Sequence, residues 1–121
     1  MTLKVTGFSS ATSTYKIVND ADSDENVETN VTGSSGQIYS IDITNSAATH
    51  TSYVKFKLAS GDVTAGTTEP DMMVLCGPST SEQYYFPDGL AFEQLTFWTT
   101  RNPTTTDTTA PNTTIVTILC T

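Results

Sequence analysis

Positive charge is scarce in this chain. Five lysines and arginines stand against thirteen aspartates and glutamates, for a formal net charge of −8. Lys4, Lys16, Lys55, Lys57 and Arg101 are scattered along the sequence, so they form no stripe able to follow a phosphate backbone. Nucleic acid is not an expected partner. Histidine is scarcer still. The single one, His50, sits between Thr49 and Thr51 in a polar stretch, without the nucleophile and orienting carboxylate that triad chemistry needs. The two cysteines, Cys76 and Cys120, each lie in an apolar run. There a free thiol behaves as a small core hydrophobe, and a cytoplasmic origin favours the reduced form. Two thiols without nearby histidine partners do not make a zinc site. A glycine-rich phosphate loop is also missing. No cofactor and no metal are expected.

Long apolar runs are absent as well. None approaches the ~18–20 residues of a membrane helix, and Met1-Thr2-Leu3-Lys4-Val5 enters strand-like sequence without a secretory h-region. Synthesis and folding in a cytoplasm, with no membrane partner, are the expectation. No window holds a 3.6-residue apolar period, so helix should be minor. With 121 residues, the chain suits one domain, residues 1–121, with a core about two layers thick.

What is present is alternation. Residues 37–44 place Tyr39, Ile41 and Ile43 on one face, with Ser40, Asp42 and Thr44 on the other. In residues 52–58, Val54, Phe56 and Leu58 point inward and Lys55 and Lys57 outward. Both are half-buried strand patterns. Further strands are expected at residues 3–6, 15–18, 27–31 and 114–120. Residues 63–70 read as a crossover between sheets, and residues 71–76 as a strand buried on nearly both faces. Residues 83–86 should form a strand ended by Pro87, which has no N–H for the ladder, with Asp88-Gly89 as a turn signal. Residues 90–99 form a strand whose parity breaks at Glu93-Gln94, where a bulge or bend is expected. Residues 9–14 are small and polar, and residues 101–114 form a long Thr-rich loop with Pro103 and Pro111. About eight or nine short strands at roughly 8–12-residue spacing point to an all-β fold: an antiparallel β-sandwich or jelly-roll-like barrel.

The polar residues offer little chemistry. Asp20, Asp22 and Asp24 alternate as at the start of an EF-hand loop. Glu25 stands where glycine is needed, however, and Val31 where the closing glutamate belongs, so a solvated acidic loop is the simpler reading. Asp88 and Glu93 could be imagined as a glycosidase pair, but aspartate beside Gly89 is better explained by turn chemistry. Tyr84, Tyr85, Phe86, Phe92, Phe97 and Trp98 concentrate the aromatics. Alternation assigns about half of them to the core; an exposed remainder could stack on sugars or meet a protein.

Three segments carry a family resemblance: Ser52-Tyr53-Val54-Lys55-Phe56-Lys57-Leu58, then Gly66-Thr67-Thr68-Glu69-Pro70-Asp71 with the apolar strand after it, then Phe86-Pro87-Asp88-Gly89-Leu90-Ala91-Phe92. Together they resemble small β-sandwich structural proteins of tailed bacteriophages, especially phages of aquatic cyanobacteria, over about residues 37–100. Ile41-Asp42-Ile43-Thr44-Asn45 fits the strand that precedes them. The resemblance implies a non-enzymatic virion protein, most of all a capsid decoration (cement) protein on the outer capsid surface. Its partners would be the major capsid protein and its own copies as a homotrimer. A tail, neck or baseplate attachment protein, or a carbohydrate-binding host-adhesion module, are the alternatives. Docking is expected through Leu3 and Val5, through the exposed aromatics Tyr85 and Trp98, and through the loop bearing Arg101, Pro103 and Pro111.

Overall fold

The computed structural model describes residues 3–7, 15–111 and 113–121; the polar segment 9–14 and Asn112 lie outside the described residues. Eight strands form: β1 (Leu3–Gly7), β2 (Lys16–Asp20), β3 (Gly36–Asn45), β4 (Ser52–Lys57), β5 (Met72–Cys76), β6 (Thr80–Phe92), β7 (Thr96–Thr100) and β8 (Thr114–Cys120). They make two antiparallel sheets, one ordered β1-β2-β8-β3-β6 and the other β5-β4-β7. The molecule is a sandwich, not a closed barrel.

The pairing is nested. β2 pairs with β8, Glu28 bridges to Phe97 of β7, β3 pairs with β6, and β4 pairs with β5. That is the wind of a jelly roll, with the second of its eight strands reduced to the Glu28 bridge and with β1 added outside β2. The strand expected at residues 27–31 is therefore a single ladder rung. Its bonds run from the Glu28 amide to the Phe97 carbonyl at 2.8 Å and back at 3.1 Å.

Register builds the core. Val5, Val18, Ile118, Ile41 and Tyr84 are successive cross-strand partners, so they form one row on the inner face of the large sheet. Against it, the small sheet presents Val54, Phe56, Val74, Cys76 and Phe97. Phe56 and Phe97 pack with ring centroids 5.9 Å apart. Burial of each such side chain stabilises by about 1.5–3 kcal/mol. The abundance of threonine and serine also has a place inside: Ser23 and Thr99 share a hydroxyl bond of 2.7 Å, Ser52 and Thr114 one of 2.6 Å, all four buried. Cys76 and Cys120 are free thiols in this core, and burial raises the Cys120 pKa.

Five expectations need correction. Tyr39 does not share the face of Ile41 and Ile43, because a bulge between Ile38 and Ser40 turns it outward. β6 does not stop at Pro87 but runs on to Phe92. Proline is tolerated because β6 is an edge strand and Pro87 falls in a bulge: Ile38 pairs with Leu90 while Ser40 pairs with Tyr85, leaving residues 86–89 opposite Tyr39 alone. Asp88-Gly89 belongs to this bulge rather than to a hairpin. Residues 63–70 do not cross between sheets, because β4 and β5 are neighbours in one sheet. β5 is buried on one face only, with Met73 38% and Leu75 46% exposed, because it is an edge. The parity break expected at Glu93-Gln94 is present, as a bend. There the chain leaves the large sheet for the small one, held by Glu93 and Gln94 amides on the Leu58 carbonyl.

Candidate functional site

The acidic loop after β2 is self-contained. The Asp20 carboxylate accepts the Asp22 amide at 3.2 Å, and Asp24 accepts the Asn26 amide at 3.0 Å, so these side chains close their own turns. Asp20 is 1% exposed, and burial, aided by the charges of Asp24 and Asp22, raises its pKa. Burial likewise raises that of Glu28. Among the described residues no group of three or more His, Cys, Asp or Glu side chains could hold a metal ion. His50 is half-buried, and its carbonyl accepts a bond from Asn45. Asp88 and Glu93 are exposed, and Glu93 Oε1 accepts the Ser60 amide at 3.4 Å.

A consequence of the Asp20 environment is testable. Its folded pKa lies above the ordinary 3.8, so ionisation weakens the fold. The penalty is complete above the folded pKa and disappears below the unfolded one. Asp20→Asn keeps the acceptor for the Asp22 amide and removes the charge. It should raise stability at pH 7 by about 1 kcal/mol, ~4 °C in melting midpoint, with the gain fading as melts are repeated toward pH 3. A variant less stable than the parent at pH 7 would contradict this.

The residues expected to dock fall in three places. Leu3 is half-buried against the core and Val5 is 40% exposed. Both sit on β1, which overhangs because the large sheet is two strands wider than the small one. Tyr85, 64% exposed, stands on the outer face of the large sheet. The remainder belong to the outer face of the small sheet, where the expectation of an exposed Trp98 is wrong.

Trp98 pairs with Lys55 across β7 and β4, and both point away from the core. Yet Trp98 is 1% and Lys55 0% exposed. The Thr-rich loop, residues 101–111, folds back over them. Lys55 Nζ donates to the Thr104 carbonyl at 2.7 Å; burial lowers the lysine pKa, opposed by the charge of Asp107. Asp107 organises the loop, accepting the Asn102 amide at 3.0 Å and the Thr109 hydroxyl at 2.7 Å. Burial pushes its pKa up, but these bonds outweigh it and hold the carboxyl low. Arg101 donates through Nη2 to the Ala110 carbonyl. Pro111 is buried and Pro103 exposed. Trp98 Nε1 and Arg101 Nε are buried without a partner among the described residues.

Beside this loop, Met73 and Leu75 leave an apolar strip on β5 that the sequence reading missed, since Met72-Met73-Val74-Leu75-Cys76 is apolar at every position and gives no parity signal. The open edge of β5 is closed by Tyr84 of β6. Its hydroxyl donates to the Leu75 carbonyl at 2.6 Å and accepts the Leu75 amide at 3.4 Å, occupying a backbone position that could otherwise pair with another chain. The strand ends are tied by Asn45, 1% exposed. Its Nδ2 lies 2.9 Å from the His50 carbonyl and 3.1 Å from those of Cys76 and Gly77, while Oδ1 accepts the Ala47 amide at 3.0 Å. No helix among the described residues is long and apolar enough to cross a membrane. Compared with protein-family models, with curated proteins and with solved structures, the chain matches none.

Proposed function

We propose that this protein is a non-enzymatic structural component of a tailed-phage virion, a decoration protein that binds the outer capsid lattice and stabilises it. The observation that carries this reading is where the resembling segments fall. They occupy β4, β5 and the bulged half of β6, the parts that set the width and edges of the sandwich and contain no reactive group. The frame fits a static binding role. Two of its edge strands are blunted, β5 by the Tyr84 hydroxyl and β6 by the Pro87 bulge, and a net charge of −8 keeps many copies apart in solution until they meet a complementary surface. Leu3 and Val5 on the β1 overhang, with the strip of Met73 and Leu75, supply apolar contact area for the major capsid protein and for neighbouring copies in a homotrimer.

A protein that binds only the expanded lattice stabilises it by mass action, by about 2.7 kcal/mol per site at a hundredfold excess over Kd. Particles assembled without the protein should therefore release their genome at a lower temperature, and adding it back should restore the parent value. Unchanged thermal stability would refute the decoration role. Cryo-microscopy of intact particles separates the alternatives by copy number: hundreds of copies mark a capsid lattice, a ring of a few marks a tail or neck.

A further inference from the structure

The outer face of the large sheet carries a cluster of tyrosines with a built surround. The β6 bulge is what assembles it. Opposite β8, Ile38 pairs with Cys120 and Ser40 with Leu119, so β3 also has one residue in excess at Tyr39. That excess places Tyr39 on the outer face with Ser40 and Gln37. Tyr15, two residues before the outward Ile17, leans toward it, with ring centroids 5.5 Å apart at 69°. Tyr85 is the direct partner of Ser40 and completes the group. Ile17 and Leu119, cross-strand partners on the same row, form a half-buried apolar floor.

Two carboxamides frame these rings. Tyr39 Oη donates to Gln37 Oε1 at 2.8 Å, and Tyr85 Oη to Gln83 Oε1 at 2.7 Å. Each bond fixes a ring's direction and leaves the amide nitrogen of the glutamine without a partner among the described residues. Gly89 makes room for Gln37: its φ is +81°, and a Cβ there would lie 2.9 Å from Gln37 Cδ. The Phe86-Pro87-Asp88-Gly89 segment, which reads as a turn in the sequence, thus shapes a surface of flat apolar rings rimmed by free N–H donors and hydroxyls. Tyr15 and Tyr85 stand 42% and 64% exposed on it.

That combination selects a ligand with an apolar face and a ring of hydroxyls. Aromatic planes accept the C–H face of a pyranose, and a few placed polar groups set its orientation. Charge narrows the class. The tyrosine row itself carries no lysine or arginine, the adjacent row runs Lys4, Asn19, Thr117, Asp42 and Gln83 with one cation and one anion, and the whole chain is at −8. Anionic ligands such as nucleic acids and sulfated glycans are repelled. We propose that Tyr15, Tyr39 and Tyr85, with Gln37 and Gln83, form a binding face for a neutral oligosaccharide. This face is distinct from the β1 overhang and the β5 strip assigned to capsid contact, so the two readings stand or fall separately.

The test uses the free protein. Neutral glucan, mannan, galactan and chitin fragments are titrated by NMR and calorimetry, with sulfated oligosaccharides as charged comparators. One neutral series should bind with a Kd below about 1 mM and move the tyrosine resonances. Tyr85→Ala should weaken it about tenfold or more. Tyr85→Phe, which keeps the ring, should weaken it less, and Leu75→Ala should leave it unchanged. Thermal melts of each variant separate loss of binding from loss of fold. The proposal is overturned if no neutral fragment binds below about 10 mM, if sulfated ones bind more tightly, or if Tyr85→Ala is without effect. It is equally overturned if Tyr85→Ala abolishes attachment to particles while no fragment binds, since the face would then be a protein contact.

Discussion

Replacing Asn45 by aspartate is expected to cost about 3–5 kcal/mol at pH 7, a large share of the roughly 5–15 kcal/mol that holds a domain folded. The substitution changes one atom. In the parent, the Asn45 amide nitrogen faces the carbonyls of His50, Cys76 and Gly77 at 2.9–3.1 Å. In the variant a carboxylate oxygen faces the same three, in a side chain that is 1% exposed. A buried charge without a donor is among the most unfavourable arrangements in a protein interior. Protonation would restore one donor, so the folded-state pKa of the new side chain rises. Stability lost at neutral pH should return in part as pH falls through that value. Urea unfolding at pH 7 and pH 4 reads both effects. Asn45→Ala, which leaves polar groups unpaired but adds no charge, should cost less, about 1–3 kcal/mol. If the aspartate variant matches the parent at pH 7, Asn45 does not hold the ends of β3, β4 and β5 together.

Truncation of Trp98 to alanine should be nearly as severe, about 3–5 kcal/mol. A docking residue on a free surface would behave otherwise: its loss would weaken a complex and leave the fold intact. The difference lies in the loop of residues 101–111, which closes over Trp98 and Lys55 and is held by the Lys55 bond to Thr104. Without the indole the loop loses its floor. Denaturant unfolding should show the drop in midpoint, and limited proteolysis should show new cleavage within residues 101–111. A midpoint shift below about 1 kcal/mol, with the loop still protected, would show that Trp98 is not a structural anchor.

Trp98 also marks where sequence reading ends. The alternation of Ile41-Asp42-Ile43 and of Val54-Lys55-Phe56 made β3 and β4 legible, because period two is a local property of a half-buried strand. Period two also sets neighbours such as Phe97 and Trp98 on opposite faces, and in the structure they pair with Phe56 and Lys55 respectively. It gave no hint that both faces are covered, since the cover over Trp98 is a polar loop whose position depends on Lys55, a residue more than forty positions earlier. Pro87 was misread for a related reason. Proline ends a central strand but not an edge strand, and which strands are edges is a property of the whole sheet order. The tyrosine face was invisible because Tyr39 shares the parity of Ile41 and Ile43 in sequence and is turned to the outside only by the bulge. Met73 and Leu75 were hidden by the uniform hydrophobicity of their segment. What was legible is what neighbouring residues decide; what was not is decided by register and by which elements have nothing beside them.

The nested pairing of the strands sets the order of synthesis against the order of assembly. β8, residues 114–120, lies between β2 and β3 at the centre of the large sheet. Until residues 114–120 are free to pair, the chain can join β3 to β6 and β4 to β5, but β1 and β2 have only each other and stay detached from the rest of their sheet. The larger sheet becomes continuous only when its late-made central strand slides in between two partners already in place. Long-range closure of this kind is slow, and until it occurs the edges of β2 and β3 are open to other chains.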